Sequence, residues 1–149
     1  MKKLLLFLSL ALLMVSFTSC NKESEKNILG SWRLMHDQEI FDDSEYGYES
    51  EDYFFNDEKC YYYLFQKNGV LFLGDEGVYG SWEYKEQSNE IIIAGRYRRY
   101  NYHIEKFSHK EMVLTYTYTE SEPDYWYNYT RRLYFEREKA PKGYGENVE

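Results

Sequence analysis

The chain has 149 residues, 20% of them aromatic, with 18 Tyr against 2 Pro and 9 Gly. That composition favours half-buried strands and excludes a disordered chain or a coiled coil. The formal charge of −8 becomes −10 once Lys2 and Lys3 leave with the export signal described next. A surface so negative repels nucleic acid and anionic lipid headgroups.

Met1 to Lys3 form a charged start, and Leu4 to Val15 is an apolar stretch too short to span a bilayer, the pattern of a secretory signal over residues 1–19. It ends in Phe17-Thr18-Ser19-Cys20, which resembles the lipobox at which bacterial lipoproteins are cleaved and acylated on Cys; Phe17 stands where Leu is usual. Lipidation of Cys20 implies a permanent membrane tether, since each buried CH₂ contributes about 0.8 kcal/mol. Residues 20–27 are polar and read as a flexible tether. Their Lys-then-acidic pattern resembles the surface-export signal of Bacteroidetes lipoproteins, which implies an outer-membrane, cell-surface location. Cys60 is then left alone, so no internal disulfide framework exists.

Eight runs fit strands joined by turn signals: 31–39, 60–66, 69–74, 79–85, 90–94, 98–107, 111–119 and 129–137. Asn68-Gly69 is a hairpin signal that sets Phe65 opposite Val70 and Tyr63 opposite Phe72. Phe72 and Val70 then face Trp82 and Tyr84, which face Ile93 and Ile91. Those in turn meet Tyr100 and Tyr102, and beyond the next turn Ile104 faces Leu114. Last, Leu114 meets Leu133 and Met112 meets Phe135. A meander with one apolar face and no covering helix closes on itself, predicting an all-β, eight-stranded antiparallel up-and-down barrel over residues 28–137. A β-sandwich is the alternative. Residues 138–149 read as a flexible C-terminal tail, and the chain is expected to be a monomer.

The first run carries Gly30-Ser31-Trp32 and the last ends Phe135-Glu136-Arg137. A Gly-x-Trp opening strand with a closing Arg over the Trp ring resembles the signature of the lipocalins and their calycin relatives. With Ile28-Leu29-Gly30-Ser31-Trp32, the Phe-x-x-Asn-Gly of 65–69 and Gly80-Ser81-Trp82-Glu83-Tyr84, the chain looks like the small lipocalin-like lipoproteins of Bacteroidetes. The resemblance implies that Gly30, Trp32 and Arg137 close the narrow end, with Arg137 capping the ring by a cation–π contact.

The opposite end holds the unusual segments. Segment 41–58 lies where a lipocalin lid loop would be and contains eight acids, no base and six aromatics. Its acids lack the alternation of an EF-hand, so that motif is rejected, and a looser calcium site stays open. Alternation carries Tyr100, Tyr116, Tyr118, Tyr129, Arg98 and Arg131 inward as a wall, with Trp126 and the lid as gate. Such a wall suits a small ligand with a flat apolar body and an anionic or polyhydroxylated part. Pairing of Arg98 and Arg131 with lid acids is the competing reading. Arg96, Arg98 and Arg99 superficially form a nucleic-acid patch, which the net charge argues against.

His36, following Trp32 and Leu34, is expected on the inward wall. No nucleophile has a nearby base, and no metal-ligand spacing occurs, so neither enzyme activity, a cofactor nor a metal is expected. Two readings remain: a small-ligand binder at the open end, or a filled barrel serving as an interaction or glycan-contact module through Tyr125-Trp126-Tyr127.

Overall fold

The computed structural model describes residues 25–146. The signal segment, Cys20 and most of the tether lie outside them. Its elements in order are a short helix α1 (Glu25–Ile28) and nine strands: β1 (Gly30–Asp43), β2 (Gly47–Phe54), β3 (Tyr61–Phe65), β4 (Val70–Leu73), β5 (Val78–Lys85), β6 (Glu90–Ala94), β7 (Arg99–Phe107), β8 (Glu111–Glu122) and β9 (Tyr125–Arg137). Consecutive strands from β3 to β9 pair antiparallel, and β1 pairs with both β3 and β9. The ring is therefore a closed eight-stranded barrel, which replaces the sandwich alternative.

The ninth strand comes from segment 41–58. Instead of a lid loop, β1 runs on to Asp43, turns at residues 44–46 and returns as β2, which pairs along the outer half of β1 from His36↔Phe54 to Asp43↔Gly47. Strands β8 and β9 are also longer than expected. They pair through Glu122↔Tyr125, so the anticipated loop at 120–128 shrinks to a turn at Pro123-Asp124. The result is a four-stranded ribbon, β2-β1-β9-β8, that projects past the barrel rim. All eight residues of β2 are exposed.

Face parity from β5 to β9 agrees with the expected register: Trp82↔Ile93, Ile91↔Tyr102, Ile104↔Leu114 and Met112↔Phe135 are all paired. Three strands depart from it. In β7 a register shift between Ile104 and Lys106 turns Phe107 inward, 5.8 Å from the Trp32 ring; β4 and β1 are the other two. The Gln66 N–H donates to the Val70 carbonyl (2.9 Å), enclosing three loop residues with Gly69 at φ 76°, one fewer than the four that Phe65 opposite Val70 would enclose. The shorter loop slips β4 by one register, so Phe65 meets Leu71 and Tyr63 meets Leu73. Leu71 and Leu73 enter the core, while Phe72 is buried against the outside. In β1 a register shift between Leu34 and His36 inserts Met35 as a bulge. Beyond it Asp37, Glu39, Phe41 and Asp43 point inward. His36 is turned out, where its ring lies between Phe54 (4.2 Å) and Tyr134 (4.7 Å).

What covers Phe72 is the segment expected to be a flexible tail. Residues 138–146 lie against the outer wall: the Ala140 amide donates to Ser31 Oγ (3.0 Å), the Tyr62 amide to the Tyr144 hydroxyl (3.1 Å), and the Tyr79 hydroxyl to the Gly145 carbonyl (2.9 Å). The Tyr144 ring meets Phe72 edge-on at 5.5 Å. The approach is so close that a Cβ at Gly74 would stand 2.5 Å from the Tyr144 hydroxyl.

The narrow end is plugged. The Trp32 indole is fully buried and donates to the Ile28 carbonyl (2.7 Å), which fixes α1 beneath the barrel although residues 25–27 read as tether. The Arg137 guanidinium lies 4.1 Å from the Trp32 ring and donates to the carbonyls of Leu29 (3.0 Å) and Asn27. Gly30 sits at φ 114°, a conformation that disfavours a side chain, with Arg137 packed over it.

Candidate functional site

Above the apolar core the interior becomes polar. Because the bulge at Met35 reverses the parity of β1, Asp37 enters the barrel and is buried (7% exposed). Arg131 meets it in a two-pronged ion pair, Nε to Oδ1 at 3.0 Å and Nη2 to Oδ2 at 2.6 Å. Glu39, one inward position further, lies 3.7 Å from the same Nε. Burial works against the Arg131 charge, but the hydrogen bonds and attraction of Asp37 outweigh it and hold the guanidinium protonated above its ordinary range. Arg131 is therefore compensated by strand acids of β1, not by the acids of 41–58.

A second carboxylate reaches the same region from the β4–β5 turn. The Tyr63 hydroxyl donates to Asp75 Oδ2 at 2.9 Å, whereas the other oxygen, Oδ1, is buried without a hydrogen-bond partner. Burial raises the Asp75 carboxyl above its ordinary value, opposed by Tyr63, by Arg131 and by the nearby backbone amides of Asp75 and Glu76. Tyr63 and Tyr102, each nearly inaccessible, have phenols raised by burial.

Four of the expected tyrosines form the wall above this level. Tyr100 and Tyr116 meet edge to face at 4.9 Å, Tyr116 and Tyr129 at 6.2 Å, and Phe41 lies 5.2 Å from Tyr129. The Tyr129 hydroxyl donates to Glu39 (2.9 Å), and burial with that carboxylate raises its phenol. Tyr118 is further out, 44% exposed, donates to Glu120 (3.3 Å) and lies 6.4 Å from Tyr127. Arg98 sits at the rim and donates to the Tyr100 hydroxyl (3.0 Å). Trp126 stands apart. Paired with Ser121 and alternating with the inward Tyr127 and Tyr129, it faces the other side of the ribbon and does not gate the mouth.

The residues that sequence reasoning missed are Asp37, Glu39, Asp75 and Tyr63. The first two are hidden by the bulge, and nothing in Gly74-Asp75-Glu76-Gly77 marks which acid turns inward. Among the described residues, no group of three or more His, Cys, Asp or Glu is placed to hold a metal ion.

No family model matches the chain, and neither does any curated protein. Among solved structures it is similar to the bovine odorant binding protein deswapped triple mutant, at 13% identity and a TM-score of 0.35, over 82% of each chain. So distant a likeness leaves the assignment of the site to the chain's own geometry.

Proposed function

We propose that this chain is a lipid-anchored, lipocalin-like outer-membrane protein, acylated at Cys20, that binds a small ligand at the open end of its barrel. The observation that carries the reading is the asymmetry of the two ends. One is sealed by Trp32 and Arg137. The other presents the contiguous rings of Tyr100, Tyr116 and Tyr129 on the inner wall, each partly accessible, with hydrogen-bonding groups beneath them. A flat apolar body against the rings and a polar group directed inward fit this arrangement. The anionic group expected from Arg98 and Arg131 loses half its basis, because Arg131 is spent on Asp37 and Glu39. Binding rather than catalysis is the role, exercised as a monomer without nucleic acid.

Native mass spectrometry of protein taken from its own cells tests the reading. A co-purifying small molecule is expected. A clean apo mass, with an unchanged melting temperature across fatty acids, haem-like compounds and sugars, rejects it. A second reading rests on the exposed Trp126 (40%) on the ribbon's outer side, which suits an interaction or glycan-contact surface. In that case Trp126→Ala abolishes partner pull-down and leaves stability within about 0.5 kcal/mol.

A further inference from the structure

The register of the projecting ribbon sets its inner face in rungs across β1, β9 and β8: Asp43, Tyr127, Glu120, then Phe41, Tyr129, Tyr118, then Glu39, Arg131, Tyr116. Rings and carboxylates are interleaved. Glu49 and Glu51 of β2 extend the same face, opposite Phe41 and Glu39. At the bottom lie Asp37 and Asp75. Among the described residues two guanidiniums oppose these acids, Arg131, held by Asp37, and Arg98, at the rim. Asp75 has no cation paired with it among the described ion pairs, and its Oδ1 is a buried acceptor that nothing satisfies. Beside it the Tyr102 hydroxyl, on a residue 2% exposed, feels Arg131, Asp37 and Asp75 as charges and makes no hydrogen bond among the described residues. A buried acceptor left unmade costs free energy that a donor could recover. An aromatic wall edged by carboxylates attracts a positive charge through the ring faces and by simple Coulomb attraction.

We propose that the ligand of the open end is an organic amine, whose ammonium group is directed to Asp75 and Glu39 and whose carbon body lies on Tyr100, Tyr116 and Tyr129. This rests on the small-ligand reading and deepens it by fixing the ligand's charge. The same face repels carboxylates and phosphates, so selectivity has a repulsive as well as an attractive part.

Three probes with one kind of body and different charge decide the matter: phenethylamine, 2-phenylethanol and 3-phenylpropionate, titrated calorimetrically into the purified protein at low salt. Phenethylamine is expected to bind at least about tenfold more tightly than the alcohol, with the carboxylate weakest, and to weaken as salt is added. Asp75→Asn, which keeps the shape and removes the charge, is expected to erase most of the preference for the amine over the alcohol. Should that variant not fold, Glu120→Gln at the exposed rim is expected to reduce the preference in the same direction. Equal or tighter binding of the alcohol or the carboxylate overturns the amine proposal while the small-ligand reading stands. Failure of all three probes overturns it as well, and only a clean apo mass from native cells then takes the small-ligand reading with it.

Discussion

Replacing Asp37 with Asn leaves the Arg131 guanidinium inside the barrel without its counter-ion. The two side chains are 10% and 17% exposed and joined by two short hydrogen bonds, so the pair is largely desolvated. Removing one partner of such a pair costs about 3–5 kcal/mol. Glu39, 3.7 Å from Arg131 Nε, takes up part of the charge and brings the expected cost of Asp37→Asn to about 2–3 kcal/mol. For a domain of this size that is a fall in melting temperature on the order of 10 °C. The internal control is Arg33–Asp57, of similar length at 2.7 Å but with Asp57 94% exposed. There Asp57→Asn is expected to change stability by less than about 0.5 kcal/mol. Urea unfolding of both variants, with the double variant Asp37→Asn/Arg131→Met, measures the difference. The double variant is expected to recover much of the loss, because it leaves neither charge buried alone. If Asp37→Asn costs no more than Asp57→Asn, the inward turn of β1 after Met35 is refuted.

Four further outcomes follow from the same geometry. Arg137→Ala removes a cation–π contact and hydrogen bonds to two carbonyls at the closed end, and should cost about 1–3 kcal/mol in urea unfolding without affecting binding at the mouth. Truncation after Arg137 uncovers Phe72 and Tyr62 and should cost about 3 kcal/mol, with increased binding of a hydrophobic dye; an unchanged midpoint would show that the strap contributes nothing. In the pH dependence, the folded phenols of Tyr63, Tyr102 and Tyr129 are raised, so their stabilisation is intact below the ordinary value near 10 and is lost above it, where the unfolded chain alone ionises. Stability should therefore fall above about pH 10, with tyrosinate absorbance and loss of fold appearing together. The raised Asp75 carboxyl has the same sign at lower pH: its contribution is present below about pH 4 and lost as pH rises through its folded value. Asp75→Asn should thus be at least as stable as the parent at pH 7.

The closed barrel and most of the parity of β5 to β9 could be read from sequence because those strands alternate regularly up to the register shift after Ile104 in β7 and again from β8 to β9, as in Trp82, Ile93, Tyr100 and Leu114, Leu133. Alternation fails as a guide wherever the backbone adds or drops a residue. A loop of three residues, 67–69, where the expected pairing needs four, moved β4 by a register, and the extra residue Met35 did the same to β1. Segment 41–58 concealed a strand for a different reason. Both faces of Gly47–Phe54 are exposed, so its sequence carries no apolar period to betray it.

The bulge at Met35 has the largest functional consequence. With unbroken parity, His36 would line the interior, Asp37 and Glu39 would face water, and Arg131 would be an uncompensated cation suited to an anionic ligand. The inserted residue exchanges these faces: His36 stacks outside between Phe54 and Tyr134, and two carboxylates come to bear on one guanidinium. The sign of the charge offered to a ligand is thus set by a single backbone irregularity rather than by composition. Deleting Met35 removes the extra residue and keeps Asp37 opposite Leu133 and Glu39 opposite Arg131, so the order of affinity for phenethylamine and 3-phenylpropionate should be unchanged, whereas Glu39→Gln, which removes an inward carboxylate and keeps the pairing, should narrow the difference. If Glu39→Gln leaves the advantage of the amine over the carboxylate undiminished, the interior acids of β1 are not what selects the charge.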